Sequence, residues 1–225
     1  MVLQHATPAD ENGSAVQLNE TAPVPYLSSS LRNPFPPIAD YAFLSDCENS
    51  CLISSTGSVE WLCVPRPDSP SVFGAILDRG AGHFRLSPYG VSVPSGRRYL
   101  PGSLILETTW QTHTGWIIVR DTMVMGAWRD IETRSRTHRR VPMDWDAEHT
   151  ILRTVRCVSG TVELMMDCEP SFDYHRAGAN WEYSASGYGE AVARANHNPD
   201  ANPTLRLTSN LRIGLEAARR GPARG

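Results

Sequence analysis

The chain has 225 residues, 40% of them hydrophobic and 20% charged, with a formal net charge of −3. A soluble chain of this length can bury one large core or two small ones. The balanced charge favours neither a nucleic-acid nor a membrane partner, so neither is predicted. We also expect a cytoplasmic protein, because no apolar stretch near the N-terminus is long enough for a signal peptide or a membrane span.

The N-terminal residues 1–32 are rich in small and polar residues and have no hydrophobic period. Such a composition cannot bury enough apolar surface to offset the entropy of ordering. We therefore predict a disordered leader over residues 1–32, followed by a folded domain over residues 33–216.

The first predicted hairpin joins Cys51–Ser55 to Ser58–Val64 through a turn at Thr56 and Gly57. Glycine suits such a turn because it adopts positive φ without strain. In the second arm the period of two places Val59, Trp61 and Cys63 on one face and Glu60 on the other.

A proline-rich loop follows this hairpin, with the sequence P-R-P-D-S-P from Pro65 to Pro70. Proline has no N–H to donate to a neighbouring strand, so the ladder must stop here. The loop carries one cation and one anion, and Arg66, Asp68 and Ser69 are the strongest polar candidates in the chain. One interpretation is that Arg66 and Asp68 only hold the loop, by a salt bridge and turn hydrogen bonds.

The remaining strands are predicted from alternating apolar positions around x-Gly turns. They are Gly74–Leu77 and His83–Leu86, a second hairpin of Leu104–His113 and Trp116–Met125, a third of Thr150–Val158 and Thr161–Cys168, and two further arms within Thr204–Glu216. Numerous strands without a helical pattern between them predict an all-β fold with two packed antiparallel sheets, a sandwich with long loops.

Two long segments between the strands are predicted to be loops, 126–149 and 170–203. The first alternates arginines with acidic residues, which is typical of a solvated loop and not of an RNA-binding surface. The second contains Trp181 among other aromatic residues. These rings either stack on a sugar or pack beneath the loop, and both interpretations stay open.

No cofactor or metal site is predicted. The five cysteines lack paired metal-ligand spacing and are interpreted as reduced thiols. Carboxyl groups at Asp144, Asp146, Asp167, Glu169 and Asp173 were considered for acid and base roles. None has a neighbour that argues for a raised pKa, so no catalytic residue is assigned.

Several motifs in order resemble one known family. They are S-D-C-E followed by G-S-V-E-W-L-C-V-P-R-P-D-S-P-S-V-F-G-A-I-L-D, then G-R-R-Y-L-P-G-S-L-I-L-E-T-T-W, R-T-V-R-C-V-S-G-T-V-E-L, C-E-P-S-F-D-Y and L-R-I-G-L-E. These motifs are similar to those of the N-terminal domain of bacterial glucoamylase-like proteins of glycoside hydrolase family fifteen. Within that family it most resembles the actinobacterial α,α-trehalases, over residues 33–216.

The resemblance implies a supersandwich-like β-domain that precedes a catalytic (α/α)6 barrel, and that barrel is absent from this sequence. We therefore expect a non-catalytic domain whose parent hydrolyses α,α-trehalose to glucose, and whose partners are the missing barrel or a companion chain, with an α-glucoside sugar as a further candidate. Arg66, Asp68, Ser69 and Trp181 are then candidates for a substrate loop or an inter-domain contact.

Two alternatives to this function remain open. The chain is either a stand-alone carbohydrate-binding or interaction module, or the remnant of a disrupted gene, because residues 217–225 depart from the family pattern. Without the barrel, apolar residues such as Trp61, Phe73 and Trp181 are expected to be exposed.

Overall fold

The computed structural model describes residues 35–125, 149–184 and 188–214. Within these ranges the regular structure consists of thirteen strands and two single-turn 3-10 helices, at Ile38–Asp40 and Pro199–Ala201. The strands are β1 Ala42–Ser45, β2 Ser50–Ile53, β3 Ser58–Cys63, β4 Ser71–Phe73, β5 His83–Pro88, β6 Gly96–Tyr99, β7 Leu106–Gln111, β8 Gly115–Met123, β9 Ile151–Gly160, β10 Leu164–Glu169, β11 Ala179–Tyr183, β12 Glu190–Ala195 and β13 Leu205–Thr208. The predicted all-β class is confirmed.

The strands form three antiparallel sheets. The largest has the order β1-β2-β3-β5-β10, with β4 also paired to β3, and the second has the order β6-β7-β8-β9. Strands β11, β12 and β13 form a third sheet of three strands. Within the described ranges, no helix has the length and apolar character needed to cross a membrane.

The main core lies between these sheets. It contains side chains from the six-stranded sheet, among them Leu44 and Phe73, and from the four-stranded sheet, such as Leu106. Ala193 and Ala195 bring the third sheet onto the same core. Side chains of two facing sheets thus share one interior, which is the sandwich arrangement that the alternating strands predict.

A buried arginine connects the two larger sheets. Arg153 on β9 donates from Nε to Asp121 Oδ1 at 2.9 Å, and the two side chains are only 3% and 1% exposed. The same guanidinium donates to the carbonyls of Phe84 and Gly57, both at 2.7 Å. Its charge is therefore compensated and its donors are used, which is the condition for burying an arginine.

Two of the predicted hairpins are confirmed. Strands β2 and β3 flank the turn at Thr56 and Gly57, where Gly57 has φ +77°. A Cβ at Gly57 would lie 2.7 Å from the carbonyl oxygen of Leu86, so glycine is required there. Strands β7 and β8 form the second predicted hairpin.

The predicted third hairpin is wrong. Strand β9 continues to Gly160 and pairs with β8 along its length, whereas β10 pairs with β5 in the other sheet. The chain crosses between sheets after Gly160, and Met166 and Cys168 of β10 pack against the main core. A glycine between two segments of alternating apolar residues indicates where the strands end. The strand with which each one pairs depends on which sheet buries its apolar face.

The segment 170–203 also differs from the prediction, because it contains β11 and β12 and is not one long loop. Conversely, the predicted strand at Gly74–Leu77 is a turn, and the strand lies just before it, at β4. After β13 the chain does not form the second predicted arm within the described residues, although Ile213 is buried and its N–H bonds to the carbonyl of Tyr188 at 2.7 Å.

The expectation of exposed apolar residues is wrong for Phe73, which is 1% exposed in the main core. Trp61 is half-buried, and the pairing of β3 with β2 shifts register between Val59 and Trp61, so that Leu62 joins Val59 in the main core. The predicted leader at residues 1–32, the tail at 217–225 and nearly all of the segment 126–149 lie outside the described residues.

Candidate functional site

The proline-rich loop connects the end of β3 to the start of β4. Inside it the N–H of Ser69 donates to the carbonyl of Arg66 at 3.0 Å, and the N–H of Arg66 donates to Ser69 Oγ at 3.2 Å. This reciprocal pair of hydrogen bonds closes a tight turn and satisfies backbone groups that no strand could pair. The loop is therefore held by its own backbone and by its serine.

Arg66 and Asp68 point outward from this turn and pair with each other. Arg66 Nε donates to Asp68 Oδ1 at 2.8 Å, and the two side chains are 59% and 67% exposed. The hydrogen bond from Arg66 lowers the pKa of the Asp68 carboxyl, and that from Asp68 raises the pKa of Arg66. Both groups are thus charged at neutral pH and accessible, and a solvated pair of this kind adds little to folding.

A second segment lies against this loop, which no local sequence pattern predicts. Tyr174 Oη donates a long hydrogen bond of 3.4 Å to the carbonyl of Ser69, and the ring is 47% exposed. Asp173, Tyr174 and His175 have φ of +50°, +54° and +72°, three successive non-glycine residues in the left-handed region. Such a conformation is costly and persists only where the surroundings enforce it.

The surroundings of this strained turn are well defined. Phe172 is fully buried and pairs with Ala177 in an isolated bridge, so that both ends of the turn are fixed. Ser171 Oγ lies 2.8 Å from His175 Nδ1 and holds the histidine ring. The turn thereby presents Tyr174 beside the charged pair, and together Arg66, Asp68, Ser69 and Tyr174 form what we call the proline-loop surface.

Trp181 is not part of this surface. It lies on β11, is partly buried, and packs against the main core. Among the other aromatic residues of the same segment, Tyr183 and Tyr188 contact each other edge to face at 4.9 Å between ring centroids. Of the two open interpretations of these rings, the geometry of Trp181 and Phe172 agrees with packing.

Buried carboxylates are the natural place to look for an acid or a base. Among the described residues five are buried, and each faces a basic side chain: Asp46 with His149, Glu60 with Arg79, Glu107 with Arg98 and Arg120, Asp121 with Arg153, and Asp167 with His83. A paired arginine favours the ionised carboxylate, and Arg98 and Arg120 indeed lower the pKa of Glu107. A general acid needs the opposite shift.

Two of the carboxyl groups considered from the sequence, Asp144 and Asp146, lie outside the described residues. Asp167 is buried on β10, with Oδ2 at 3.2 Å from Nε2 of His83. Asp173 sits in the strained turn and pairs with Arg176. In the part of the chain that the structure covers, no three His, Cys, Asp or Glu side chains converge in a way that could hold a metal ion.

Glu60 is a buried carboxylate whose hydrogen-bond partners could not be predicted from the sequence. It lies on β3 where the pairing with β2 shifts register, between Val59 and Trp61, and it is 1% exposed. The chain after β4 folds back and places Arg79 over it, with Nη2 to Oε1 at 2.9 Å, while Tyr41 Oη donates to Oε2 at 2.6 Å. Burial and the hydrogen bond to Glu60 raise the pKa of Tyr41.

The chain is similar to several known proteins. Residues 32–121 match the family of trehalase-like N-terminal domains. The chain belongs to the trehalase-like family through this N-terminal domain. No solved structure matches it.

The curated relatives are trehalases. The chain is 77% identical over 220 residues to a trehalase of Mycolicibacterium smegmatis, covering 96% of this chain and 33% of the relative. It is 78% identical over 209 residues to a trehalase of Mycobacterium tuberculosis, covering 92% and 31%. A more distant match is trehalase 1 of Sulfolobus acidocaldarius, 37% identical over 84 residues, or 37% of this chain and 15% of that protein. The chain thus spans about a third of the length of the curated mycobacterial relatives.

Proposed function

We propose that this chain acts as the non-catalytic N-terminal domain of a trehalase-like glycoside hydrolase, whose complete form hydrolyses α,α-trehalose to two molecules of glucose. The observation that carries the proposal is the 77% identity to a trehalase over 96% of this chain, which equals only 33% of that trehalase. Two thirds of such a relative therefore lie outside the matched region, and the catalytic groups are proposed to belong there.

The chemistry of the described residues supports this division of labour. Inverting glycosidases need a protonated acid and a carboxylate base about 6.5–9.5 Å apart across the substrate. Each buried carboxylate described above is instead paired with a basic side chain, and at Glu107 the two arginines lower the pKa of the carboxyl. A lowered pKa is the opposite of what the acid that protonates the leaving oxygen needs.

The proline-loop surface is our candidate for contact with the catalytic part, an (α/α)6 barrel in the same protein or in a companion chain. Its support is geometric. Arg66 and Asp68 are exposed on a turn that backbone hydrogen bonds close, and Tyr174 is exposed on the neighbouring segment. A rigid, charged and partly aromatic tip can bind a partner with little loss of conformational entropy. Trp181, which packs inward, contributes to this role only through the core beneath the third sheet.

The test is a reconstitution. The purified chain is incubated with trehalose, alone and together with the Mycolicibacterium smegmatis trehalase truncated to the residues outside the match, and glucose release is measured. We expect no glucose from the chain alone and greater release from the mixture than from the truncated trehalase by itself. Glucose release by the chain alone would refute the proposal, and so would a mixture no more active than the truncated relative.

We further propose that the protein works in a reducing compartment, the cytoplasm. The five cysteines, all within the described residues, are present as thiols, and Cys51 and Cys63 are buried. Burial raises the pKa of Cys51 to about 12, so that this thiol stays protonated and unreactive. Cell fractionation followed by immunoblotting tests the location, and recovery of the protein in the secreted fraction would contradict it.

A further inference from the structure

Two adjoining recesses lie on the side of the domain formed by β1, β6 and the β2–β3 turn. The larger, of about 570 Å³, runs between the 3-10 turn Ile38–Asp40 and β6 and has Arg97 in its wall. The smaller, of about 200 Å³, lies over the β2–β3 turn. Ser55 and Ser92 belong to the walls of both. We call the larger one the Arg97 recess.

Arg97 is bonded only to groups that carry no net charge. Its Nη1 donates to the carbonyl of Asp40 at 2.6 Å, and its Nη2 donates to the carbonyl of Ile53 at 3.1 Å. Its Nε is buried and has no hydrogen-bond partner. Within the described residues, no carboxylate forms an ion pair with this guanidinium. The carbonyl dipoles hold Arg97 in place, but they do not neutralise its charge.

The other charges near the recess do not supply the missing anion. Arg79 and Arg98, the two other arginines of the walls, already donate to carboxylates of their own at 2.9 and 2.6 Å. Asp121 and Asp40 act on Arg97 only from a distance, and Asp121 is engaged in a buried ion pair. The carboxylate of Asp40 is exposed, so water screens it.

Burial makes the missing anion costly for Arg97. The residue is half-buried, and desolvation lowers the pKa of its guanidinium. An arginine nevertheless stays protonated at neutral pH. A cation that has lost part of its water and has no counter-ion gains more from an incoming anion than a solvated cation does.

The recess also offers donors and space for such an anion. Each Nη of Arg97 carries a second N–H besides the one that a carbonyl accepts. The hydroxyls of Ser55 and Ser92 line the wall and have no hydrogen-bond partner in the part of the chain that the structure describes. The volume falls within the roughly 300–1,000 Å³ typical of small-molecule pockets. A carboxylate can accept from several such donors at once, and these charge-assisted bonds are the stronger kind.

We propose that the Arg97 recess is a binding site for one carboxylate group. A singly charged ligand fits because one arginine lacks a counter-ion, and the carboxylate of Asp40 in the same wall would repel a dianion. The carboxylate belongs either to a small organic acid or to an Asp or Glu side chain of a partner segment, and the probes below separate these sources. The site is distinct from the proline-loop surface and does not depend on the proposed function.

The test titrates three probes into the isotopically labelled chain at constant ionic strength and follows amide chemical shifts by NMR. Acetate represents a small acid, N-acetyl-glutamate amide represents a side chain within a peptide, and N-acetyl-glutamine amide is its uncharged control. We expect saturable shifts at Ser55, Ser92 and Arg97 with both carboxylates, with dissociation constants of about 1–10 mM, and none with the control. Equal affinity for the two carboxylates indicates a small acid, whereas about tenfold tighter binding of N-acetyl-glutamate amide indicates a partner segment.

A matched pair of variants isolates the charge. Ser92→Glu places a carboxylate of the protein itself at the recess, whereas Ser92→Gln adds a side chain of the same size without charge. We expect Ser92→Glu to bind acetate about tenfold or more weakly than Ser92→Gln, because the site then has its own anion. Arg97→Met should abolish the shifts. If Arg97→Met fails to fold, the comparison of the two Ser92 variants still decides the matter.

Four results would overturn the proposal. They are the absence of a saturable shift, a shift map centred on Arg66 or on the third sheet, equal binding of acetate by the two Ser92 variants, and tighter binding of sulfate than of acetate. No hydrolysis is measured, so failure here leaves the reconstitution result untouched, and the reverse holds as well.

Discussion

Two arginine–carboxylate pairs flank the same stretch of chain and differ in nearly everything except their chemistry. Arg66 and Asp68 are 59% and 67% exposed on the proline loop, whereas Arg79 and Glu60 are 10% and 2% exposed beneath the turn that follows β4. The exposed pair is solvated before and after folding, while the buried pair has lost its water and depends on its partner. The same two chemical groups are thus accessible for binding in one place, whereas in the other neither can be removed alone without leaving a buried, unpaired charge.

The largest effect should come from breaking the buried pair. In Glu60→Ala the Arg79 guanidinium, which is only 10% exposed, loses its carboxylate, and Tyr41 loses its acceptor. We expect a loss of about 3–5 kcal/mol in the free energy of unfolding. Urea denaturation measures it, and a loss no greater than that of Asp68→Asn would show that burial does not separate the two pairs.

Removing both buried charges together should cost much less. The double variant Glu60→Leu with Arg79→Met replaces the ion pair by apolar side chains and leaves no unpaired charge. Such replacements are often neutral or stabilising, by about 1–4 kcal/mol. The double variant should therefore be more stable than Glu60→Ala in the same denaturation experiment, and equal instability would mean that the fold depends on the pair itself.

Glu107 lies between these extremes, because its carboxylate is 4% exposed while Arg98 and Arg120 are 70% and 48% exposed. The two arginines lower its pKa from the ordinary value of 4.5. A lowered folded-state pKa gives stabilisation that is complete above about 4.5 and is lost as the pH falls through the lower, folded value. Exposure of the arginines limits this to about 1 kcal/mol.

The measurement compares thermal unfolding of the wild type and Glu107→Gln at neutral and acidic pH. The gap between their midpoints should narrow as the pH falls below about 4.5, because the wild type then loses the charge that the variant never had. A gap that widens in acid would reverse the assigned sign.

The smallest effect on folding is expected at Asp68. Asp68→Asn should leave the unfolding midpoint of the isolated chain unchanged, since its pair with Arg66 is open to solvent. The same variant should reduce the glucose release gained in the reconstitution, and Arg66→Gln should do likewise. If both variants reconstitute as well as the wild type, the proline-loop surface is not the contact with the catalytic part.

The proline loop with Arg66 and Asp68 was easier to predict from the sequence than the buried pair of Glu60 and Arg79. The sequence located the proline loop, its charged pair, the hairpin at Thr56 and Gly57 and the hairpin of Leu104–His113 with Trp116–Met125. Proline and glycine act locally, so these predictions need no knowledge of distant residues. It missed Tyr174 beside Ser69, which is 105 positions away in the chain. It also did not reveal that Arg79 covers Glu60, nor that the pairing of β3 with β2 shifts register at this residue.

By itself, the sequence determined the all-β class, the positions of most strands and the trehalase-like family, because period-two patterns, turn residues and family motifs are written along the chain. Only the tertiary structure decided that β10 pairs with β5, that β11 and β12 pair in a third sheet, and that Ser55 and Ser92 line the same two recesses. Those features arise from contacts between residues far apart in the chain. Each such contact is favourable only once the sheets have buried a common core. A local pattern of residues does not show which sheets will share that core.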